Sequence, residues 1–305
     1  MIKKVSKVIK GLRGEVVIPA DKSVSHRAVM FTSLAKGSSL IKNFSSGKDP
    51  HSTLEIFKQL GVTAKFIDEK TLKITSTGCL KAPLAPLDCG NSGTTMRLIS
   101  GILAGQNFNT QLIGDNSLSK RPMKRVIEPL ELMGAKISSV NGHAPLNITG
   151  TNLHSIDYTS KLASAQVKSC ILLAGLNADG TTSVTEPYIS RNHSELMLEY
   201  MGANIHVNGK TVCIQKSQLK PKTIDICGDI SSAAYFIVAG LIVQNSDFVI
   251  KNVGLNYTRS GIIDVVERMG GNIEILNKRT VSGEEVGDIR VQYTEKLKPC
   301  VIRGE

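Results

Sequence analysis

The first residues whose side chains could bind or react with a ligand are Lys22, Ser23 and Arg27, in the segment PADKSVSHRA. Apolar residues at helical spacing from Val24 to Ala35 predict that a helix begins near Ser23. The free N–H groups and positive dipole end of such a helix would bind an anion. Ser23 alone could be a plain N-cap, but cations beside a helix N-terminus are unfavourable unless an anion is shared.

In a second segment, CGNSGTTMR (89–97), main-chain groups rather than charged side chains would contact a ligand. Gly90 and Gly93 would let a ligand approach the main chain closely, and Asn91 would add an amide. The segment lacks the GK[ST] ending of a P-loop, so an ATP site is weakly supported. Taken alone, the segment is as compatible with a structural turn as with a ligand loop.

The third segment, GDNSLSKRPMKR (114–125), crowds four cations around a helix that we predict to start near Pro122. Cations at a helix start again suggest a shared anion. Arg121 is the preferred ligand because its planar guanidinium matches phosphate or carboxylate. A solvated basic face is the alternative interpretation.

Two later segments place polar groups at further helix starts. In KLASAQVKS (161–169), Ser164 is predicted to be an N-cap and Gln166 an amide beside it. In EPYISRNHSELM (186–197), Arg191 is predicted to lie at a helix start. His193 is interpreted as a core or surface histidine, since no Ser or Cys nucleophile is suitably spaced.

The elements that must position these groups repeat along the chain. Helical stretches end in glycine and then alternate like strands, roughly every 70 residues. The four glycines, which suit left-handed helix C-caps, are Gly61, Gly134, Gly202 and Gly270. If the repeats surround a pseudo-symmetry axis, the polar helix starts converge.

Each repeat has the order β-α-β-α-β-β, which predicts an α/β fold with helices covering sheets. In the second repeat, GNSGTT opens a helix that runs to about Ala104, and FNTQLIG is a strand. After the next helix, AKISSVNGHAPLNITG is predicted to be a hairpin. A generic α/β arrangement without matched repeats remains open.

Composition narrows the class of ligand. The chain has 305 residues, 41% of them hydrophobic, which suits about two domains, and a formal net charge of +11. A basic protein attracts anions, but aromatics make up 4% and tryptophan is absent, so a base-stacking surface is poorly supported. A small anionic substrate is therefore favoured over nucleic acid.

The cysteines and apolar stretches point to a cytosolic protein. Six widely separated cysteines show no zinc-site spacing and are interpreted as reduced thiols. The segment MIKKVSKVIKGLRG lacks the apolar region of a signal peptide. The longest apolar stretch, AAYFIVAGLIV (233–243), is too short to span a bilayer and is predicted to be a buried helix.

Five ordered motifs resemble the EPSP synthase family: ADKSVSHRA, GNSGTTMR, GDNSLSKRPM, SAQVKS and GDISSAAYF. The resemblance covers residues 1–305 and implies an inside-out α/β barrel with two lobes. On this basis we expect residues 21–226 to form a complete lobe of three β-α-β-α-β-β units. Residues 1–20 plus 227–305 would form a partial second lobe of about one unit that exposes apolar surface.

The resemblance also implies a reaction. The family transfers the enolpyruvyl group of phosphoenolpyruvate to the 5-hydroxyl of shikimate 3-phosphate, with release of phosphate. It acts in the cytoplasm, as a monomer, without a metal or organic cofactor and without nucleic acid or membrane. Association through the partial lobe stays open here.

By motif match, Lys22 is the expected catalytic proton donor, and further residues are expected ligands. Those for shikimate 3-phosphate are Lys22, Ser23, Arg27, Ser164, Ala165, Gln166 and Arg191. Those for phosphoenolpyruvate, where the herbicide glyphosate also binds, are Lys22, Asn91, Gly93 and Arg121.

The sequence departs from the family pattern at one point. The family's catalytic Asp in a DEIP-like motif and its Glu near a KES-like motif are missing from these 305 residues. Asp229 of GDISSAAYF is interpreted instead as a helix N-cap and a lobe-lobe element. Two hypotheses follow: an enolpyruvyl transferase, or a non-catalytic binder of shikimate 3-phosphate or another phosphometabolite.

Overall fold

A computed structural model describes residues 10–303 of the chain. Residues 1–9 and 304–305, at the two ends of the predicted second lobe, lie outside the described residues. The chain divides into two compact units. Lys22–Ile226 form one, here called the large unit, and the described residues on either side form the small unit.

The described residues contain eight α-helices and sixteen strands, together with a short 3-10 turn at Leu118–Lys120. In chain order the elements are β1 (Arg13–Val17), α1 (Lys22–Leu34), β2 (Gly37–Lys42), α2 (Lys48–Gln59), β3 (Thr63–Phe66), β4 (Leu72–Ser76), β5 (Leu87–Asp88), α3 (Gly93–Ala104), β6 (Asn109–Ile113), α4 (Lys124–Leu132), β7 (Lys136–Val140), β8 (His143–Thr149), β9 (Asp157–Thr159), α5 (Ala165–Gly175), β10 (Thr181–Thr185), α6 (His193–Tyr200), β11 (Ile205–Asn208), β12 (Thr211–Gln215), β13 (Thr223–Asp225), α7 (Ile230–Ile242), β14 (Asp247–Gly254), α8 (Gly261–Arg268), β15 (Asn272–Val281) and β16 (Glu284–Gln292). The α/β class predicted from the sequence is confirmed.

Each repeat contributes at least three strands to one mixed four-stranded sheet. The large unit holds the sheets β13-β2-β4-β3, β5-β6-β8-β7 and β9-β10-β12-β11, and the small unit holds β1-β14-β16-β15. In every sheet the leading strand is parallel to its neighbour and a hairpin supplies the antiparallel pair. The leading strands are exchanged between distant repeats, because β1 pairs with β14 and β13 pairs with β2.

The most deeply buried helices of the large unit are the first helices of its three repeats, α1, α3 and α5. Every residue of α3 except Thr94 is buried, and most of α1 and α5 is buried as well. A side chain at Gly101 would place its Cβ 2.0 Å from the carbonyl oxygen of Cys170, so α3 and α5 touch through their backbones. Close contact of this kind requires glycine.

The predicted glycine stops are confirmed. The backbone is left-handed at all four, with φ of 89° at Gly61, 91° at Gly134, 85° at Gly202 and 75° at Gly270. Each glycine follows a helix directly, which is the position where a left-handed residue closes the last turn.

The predicted hairpin of the second repeat is also present, as β7 and β8. Its turn residues Asn141 and Gly142 both have positive φ, which matches the twist of paired strands.

Two predictions about helices were wrong. The helix after the third motif begins at Lys124, not near Pro122, and Met123 is its N-cap. Arg121 has the extended backbone that a following proline favours, so the chain cannot already be helical there.

The apolar stretch 233–243 lies in α7, and this helix is not wholly buried. Its buried residues all face one side, whereas Tyr235 is 82% exposed and Ile242 is 61% exposed. The prediction of a buried helix failed because the main packing partners of α7 are β14 and β16, the strands under one of its sides. Within residues 10–303, no helix is both long and apolar enough to cross a membrane.

Candidate functional site

The N-terminal turns of α3 and α5 lie side by side in the large unit. Arg97 Nη1 on α3 donates to Gln166 Oε1 on α5 at 2.8 Å. Gln166 Nε2 donates in turn to Thr94 Oγ1 at 3.1 Å. The two N-caps are Ser92 and Ser164, and each accepts a backbone N–H of its own first turn. The structure therefore brings the second and fourth predicted segments together.

Two guanidinium groups meet at Gly93. A Cβ at this position would lie 2.9 Å from Arg97 Nη1 and 3.4 Å from Arg121 Nη1. Arg121 is oriented by Asn91, whose Oδ1 accepts from Arg121 Nη2 at 2.6 Å, and Asn91 Nδ2 donates to Asp115 Oδ2 at 2.7 Å. Two like charges beside a helix N-terminus repel each other, and a bound anion would relieve that repulsion.

The electrostatics of Arg97 agree with that geometry. Burial, followed by the nearby charges of Arg125 and Arg121, lowers the pKa of Arg97 to about 10. Arg97 forms no ion pair with the described carboxylates. We call Arg97, Arg121 and the backbone at Gly93 the anion cluster.

Arg27, which lies in the first predicted segment, is buried on α1 and links three helices. Its Nε donates to Ser194 Oγ on α6 at 2.7 Å, and its Nη2 donates to Ser169 Oγ on α5 at 3.0 Å. Its Nη1 reaches back to the carbonyl oxygen of Ser23 at 3.0 Å. Arg27 therefore joins the start of α1 to α5 and α6.

Lys22 is the first residue of α1, and its side chain is 52% exposed. Its Nζ lies 3.1 Å from Asp49 Oδ2 in the first turn of α2. An exposed ion pair of this kind is weak, so the ammonium group can exchange Asp49 for another anion.

The remaining predicted residues lie on α5 and ahead of α6. Ala165 is the first residue of α5. Arg191 is exposed and precedes Asn192, the N-cap of α6, so Arg191 lies just outside the helix start predicted for it. His193, interpreted as a core or surface residue, is buried.

A buried chain of hydrogen bonds connects α1 with α3. His26 Nδ1 lies 2.7 Å from Thr53 Oγ1, which lies 2.7 Å from Thr95 Oγ1. Thr95 Oγ1 donates to Ser92 Oγ, the cap of α3, at 2.7 Å. Burial, followed by the charges of Lys22 and Arg27, lowers the pKa of His26 to about 3, so the imidazole is neutral.

Sequence reasoning missed Arg97 although the residue stands in a quoted motif. Arg97 follows Gly93 by one helical turn, a spacing that puts both on the same face of α3. That spacing was the available signal. Lys168 and Glu186 were missed because their contact joins two different elements, α5 and the segment after β10.

The described part of the chain contains no candidate metal site. Within residues 10–303, no group of three or more His, Cys, Asp or Glu side chains is arranged to hold a metal ion.

Comparisons with known proteins converge on one family. The family model described as EPSP synthase (3-phosphoshikimate 1-carboxyvinyltransferase) matches residues 6–304. A relative from Geotalea uraniireducens, named 3-phosphoshikimate 1-carboxyvinyltransferase, is 50% identical over 303 residues, which cover 98% of this chain and 70% of the relative. One of the same name from Gloeothece citriformis is 48% identical, covering 96% and 67% of the two chains.

A solved structure gives the same result. The EPSP synthase of Acinetobacter baumannii matches with a TM-score of 0.89 and 42% sequence identity. The match covers 93% of this chain and 65% of that one, so this chain spans slightly less than two thirds of the solved protein.

Proposed function

The chain belongs to the EPSP synthase family, transferases of the shikimate pathway, and we propose that it works in enolpyruvyl transfer. The proposed reaction moves the enolpyruvyl group of phosphoenolpyruvate to the 5-hydroxyl of shikimate 3-phosphate and releases phosphate. The other candidate, a binder of phosphometabolites without catalysis, is not favoured by the family match.

The observation that carries this proposal is the anion cluster. Arg97 and Arg121 approach the same point at Gly93, beside the amide of Gln166 and the N-terminal turns of α3 and α5. Both proposed substrates are phosphorylated, so bringing them together means overcoming their repulsion. Fixed cations and helix N-termini offset that repulsion and hold the reactants in place.

The proposed ligands are those that the motif match implies. Shikimate 3-phosphate would contact the starts of α1 and α5 and the segment ahead of α6, through Lys22, Ser23, Arg27, Ser164, Ala165, Gln166 and Arg191. Phosphoenolpyruvate, or glyphosate in its stead, would contact Lys22, Asn91, Gly93 and Arg121. Lys22 would also supply a proton, which its exposed ammonium group can do. We further propose a cytoplasmic, monomeric protein that needs no cofactor.

Two assays on the full chain test the proposal. Titration calorimetry measures binding of shikimate 3-phosphate, and a phosphate-release assay measures turnover with both substrates. Release that requires both substrates supports enolpyruvyl transfer. Binding without release supports the non-catalytic alternative. A folded chain that binds no shikimate 3-phosphate contradicts enolpyruvyl transfer and restricts the alternative to another phosphometabolite.

A charge-matched pair of variants locates the second substrate. Arg121→Gln removes a guanidinium of the anion cluster, whereas Lys120→Gln removes the neighbouring exposed cation. We expect the Arg121 variant to weaken use of phosphoenolpyruvate by about a hundredfold, since it loses a charged hydrogen-bonding group, and the Lys120 variant by less than about threefold. Equal effects would contradict the proposed location.

A further inference from the structure

A buried ionic cluster lies at the base of the α5 and α6 segments. Lys168 Nζ is 2.8 Å from Glu186 Oε2 and 2.7 Å from Glu195 Oε1. All three side chains are at most 4% exposed. Lys168 is on α5 and Glu195 is on α6, while Glu186 follows β10, so the cluster connects three elements.

Stability alone is a poor reason for such a cluster. Removing three ionic groups from water is costly, and a buried ion pair often contributes no more than apolar residues of the same size. In addition, Glu195 Oε2 is buried without a hydrogen-bond partner among residues 10–303. Buried ionic groups can instead fix one geometry among several, and the contacts of Glu186 indicate which geometry is fixed here.

The carboxylate of Glu186 holds two backbone segments at once. Its Oε1 accepts the N–H of Ser164, the N-cap of α5, at 2.8 Å. Its Oε2 accepts the N–H of Ser190 at 3.3 Å and the hydroxyl of Ser190 at 2.8 Å. Ser164 and Arg191, the neighbour of Ser190, are both proposed ligands of shikimate 3-phosphate.

We infer that Glu186 is a positioning residue that fixes the spacing of Ser164 and the Ser190–Arg191 segment before the ligand arrives. Lys168 holds the carboxylate in place through its ion pair with Oε2. Glu186 itself is buried and acts through the segments it holds. Fixing both segments in advance removes an ordering cost from binding. The identity of the ligand rests on the function proposed above.

A neutral amide cannot replace this carboxylate. Glutamine has one acceptor oxygen, whereas Ser164 and Ser190 present donors to both oxygens of Glu186. In Glu186→Gln, one segment loses its acceptor whichever way the amide is turned, and the NH2 group faces a donor. Glu195→Gln is the matched control, because it removes the other carboxylate of Lys168 and makes no contact with either serine.

Amide hydrogen exchange of the ligand-free chain, resolved by residue, tests the positioning directly. We expect exchange at Ser164 or Ser190 to accelerate by about tenfold in Glu186→Gln, since an amide that loses its buried acceptor opens more readily. Glu195→Gln should leave both amides within about twofold of wild type. Unchanged exchange at both serines in folded Glu186→Gln would overturn the inference.

Titration of shikimate 3-phosphate into the same proteins tests the consequence. We expect the Kd to rise about tenfold in Glu186→Gln and to stay within about twofold in Glu195→Gln. A purely structural role would lower the Tm without this difference in affinity. An unchanged Kd for Glu186→Gln, beside a wild type that binds, would also overturn the inference.

The exchange and titration experiments distinguish a failure of this inference from a failure of the proposed function. If the wild type binds no shikimate 3-phosphate, the proposed function fails, and the exchange experiment alone decides whether Glu186 holds the two segments. If Glu186→Gln does not fold, Glu186→Asp takes its place. Aspartate keeps the charge but is one methylene too short to reach both serines, so the same loss of protection and affinity is expected.

Discussion

Helices α3 and α7 hold equivalent positions in their repeats but meet different surroundings. Each follows the leading strand of its repeat and is composed mainly of apolar and small residues, and α7 has no charged residue. In α3 every residue but Thr94 is buried. In α7 only Ile230, Ala233, Ile237, Gly240 and Leu241 are buried, and Tyr235 is 82% exposed.

The difference shows that an apolar composition allows a helix to be buried, but that the elements packed around the helix determine whether it is buried. Helix α3 touches α1, α2, α4 and α5 in the large unit. Helix α7 has its sheet on one side, and its other side forms an apolar surface of the small unit. Exposed apolar area of this kind contributes nothing to stability until something covers it.

The buried arginines of the two units differ in the charges that surround them. Arg259 in the small unit is paired with Asp21 at 3.4 Å and Asp229 at 3.1 Å. Arg97 in the large unit faces Arg121 and Arg125, which help to lower its pKa. A cation that is paired with carboxylates has a structural role, whereas several cations at a helix N-terminus indicate an anion-binding site.

The largest expected contrast comes from one truncation made in both helices. Ile102 on α3 is fully buried and Ile242 on α7 is 61% exposed. Ile102→Ala should lower the free energy of unfolding by about 4 kcal/mol, through lost burial and a cavity. Ile242→Ala should cost less than about 0.5 kcal/mol. Urea unfolding measures both, and similar losses would contradict the described burial.

A second contrast adds a methyl group instead of removing one. At Gly101 the new Cβ would meet the Cys170 carbonyl oxygen at 2.0 Å, whereas Gly261 at the start of α8 has nothing within 4 Å. Gly101→Ala should cost about 3 kcal/mol because α3 and α5 must separate. Gly261→Ala should change the free energy of unfolding by less than about 0.5 kcal/mol. Tolerance of alanine at Gly101 would refute the backbone contact.

The smallest expected contrast is in how the stability of the two units depends on pH. Folded His26 binds a proton only near pH 3, whereas the unfolded residue does so near its usual pKa of 6.5. As pH falls below 6.5, the unfolded chain takes up the proton first, so this contribution to stability is complete above pH 6.5 and lost towards pH 3. The slope should reach at most about 1.4 kcal/mol per pH unit in the large unit.

The small unit should respond at lower pH. Burial alone would raise the pKa of Asp288, but the Asn252 N–H, Lys251 and Asn277 lower it from 3.8 to about 2. Its contribution is complete above pH 3.8 and lost as pH falls towards 2. As pH falls from 6.5 to 4.5, amide protection factors, which are corrected for the pH dependence of intrinsic exchange, should therefore decrease mainly in the large unit. His26→Asn, which keeps a partner for Thr53, should flatten that dependence; an unaltered slope would exclude His26 as its cause.

Local patterns were enough to predict the parts of the fold set by local chemistry. The left-handed glycines after α2, α4, α6 and α8, the Asn141–Gly142 turn and the Asp229 N-cap follow from propensities within a few residues. The starts of α1, α3 and α5 were predicted for the same reason.

Features that depend on distant partners could not be predicted. The exchange of β1 and β13 between repeats is decided by pairing across the chain, and the exposure of α7 by which elements pack on it. The same holds for the site. Motifs indicated Gln166 and Arg121, but only the folded chain brings Arg97 to Gln166 and Glu186 to two serines.

A crystal structure of the full chain with shikimate 3-phosphate would test the central claim most directly, that the helix starts of the large unit form its binding site. We predict that the ligand lies at the N-terminal turns of α1 and α5, in contact with Lys22, Ser23 and Gln166. A ligand bound instead at the opposite ends of these helices, in the cavity of about 510 Å³ lined by Leu34, Gly105 and Leu176, would contradict the account.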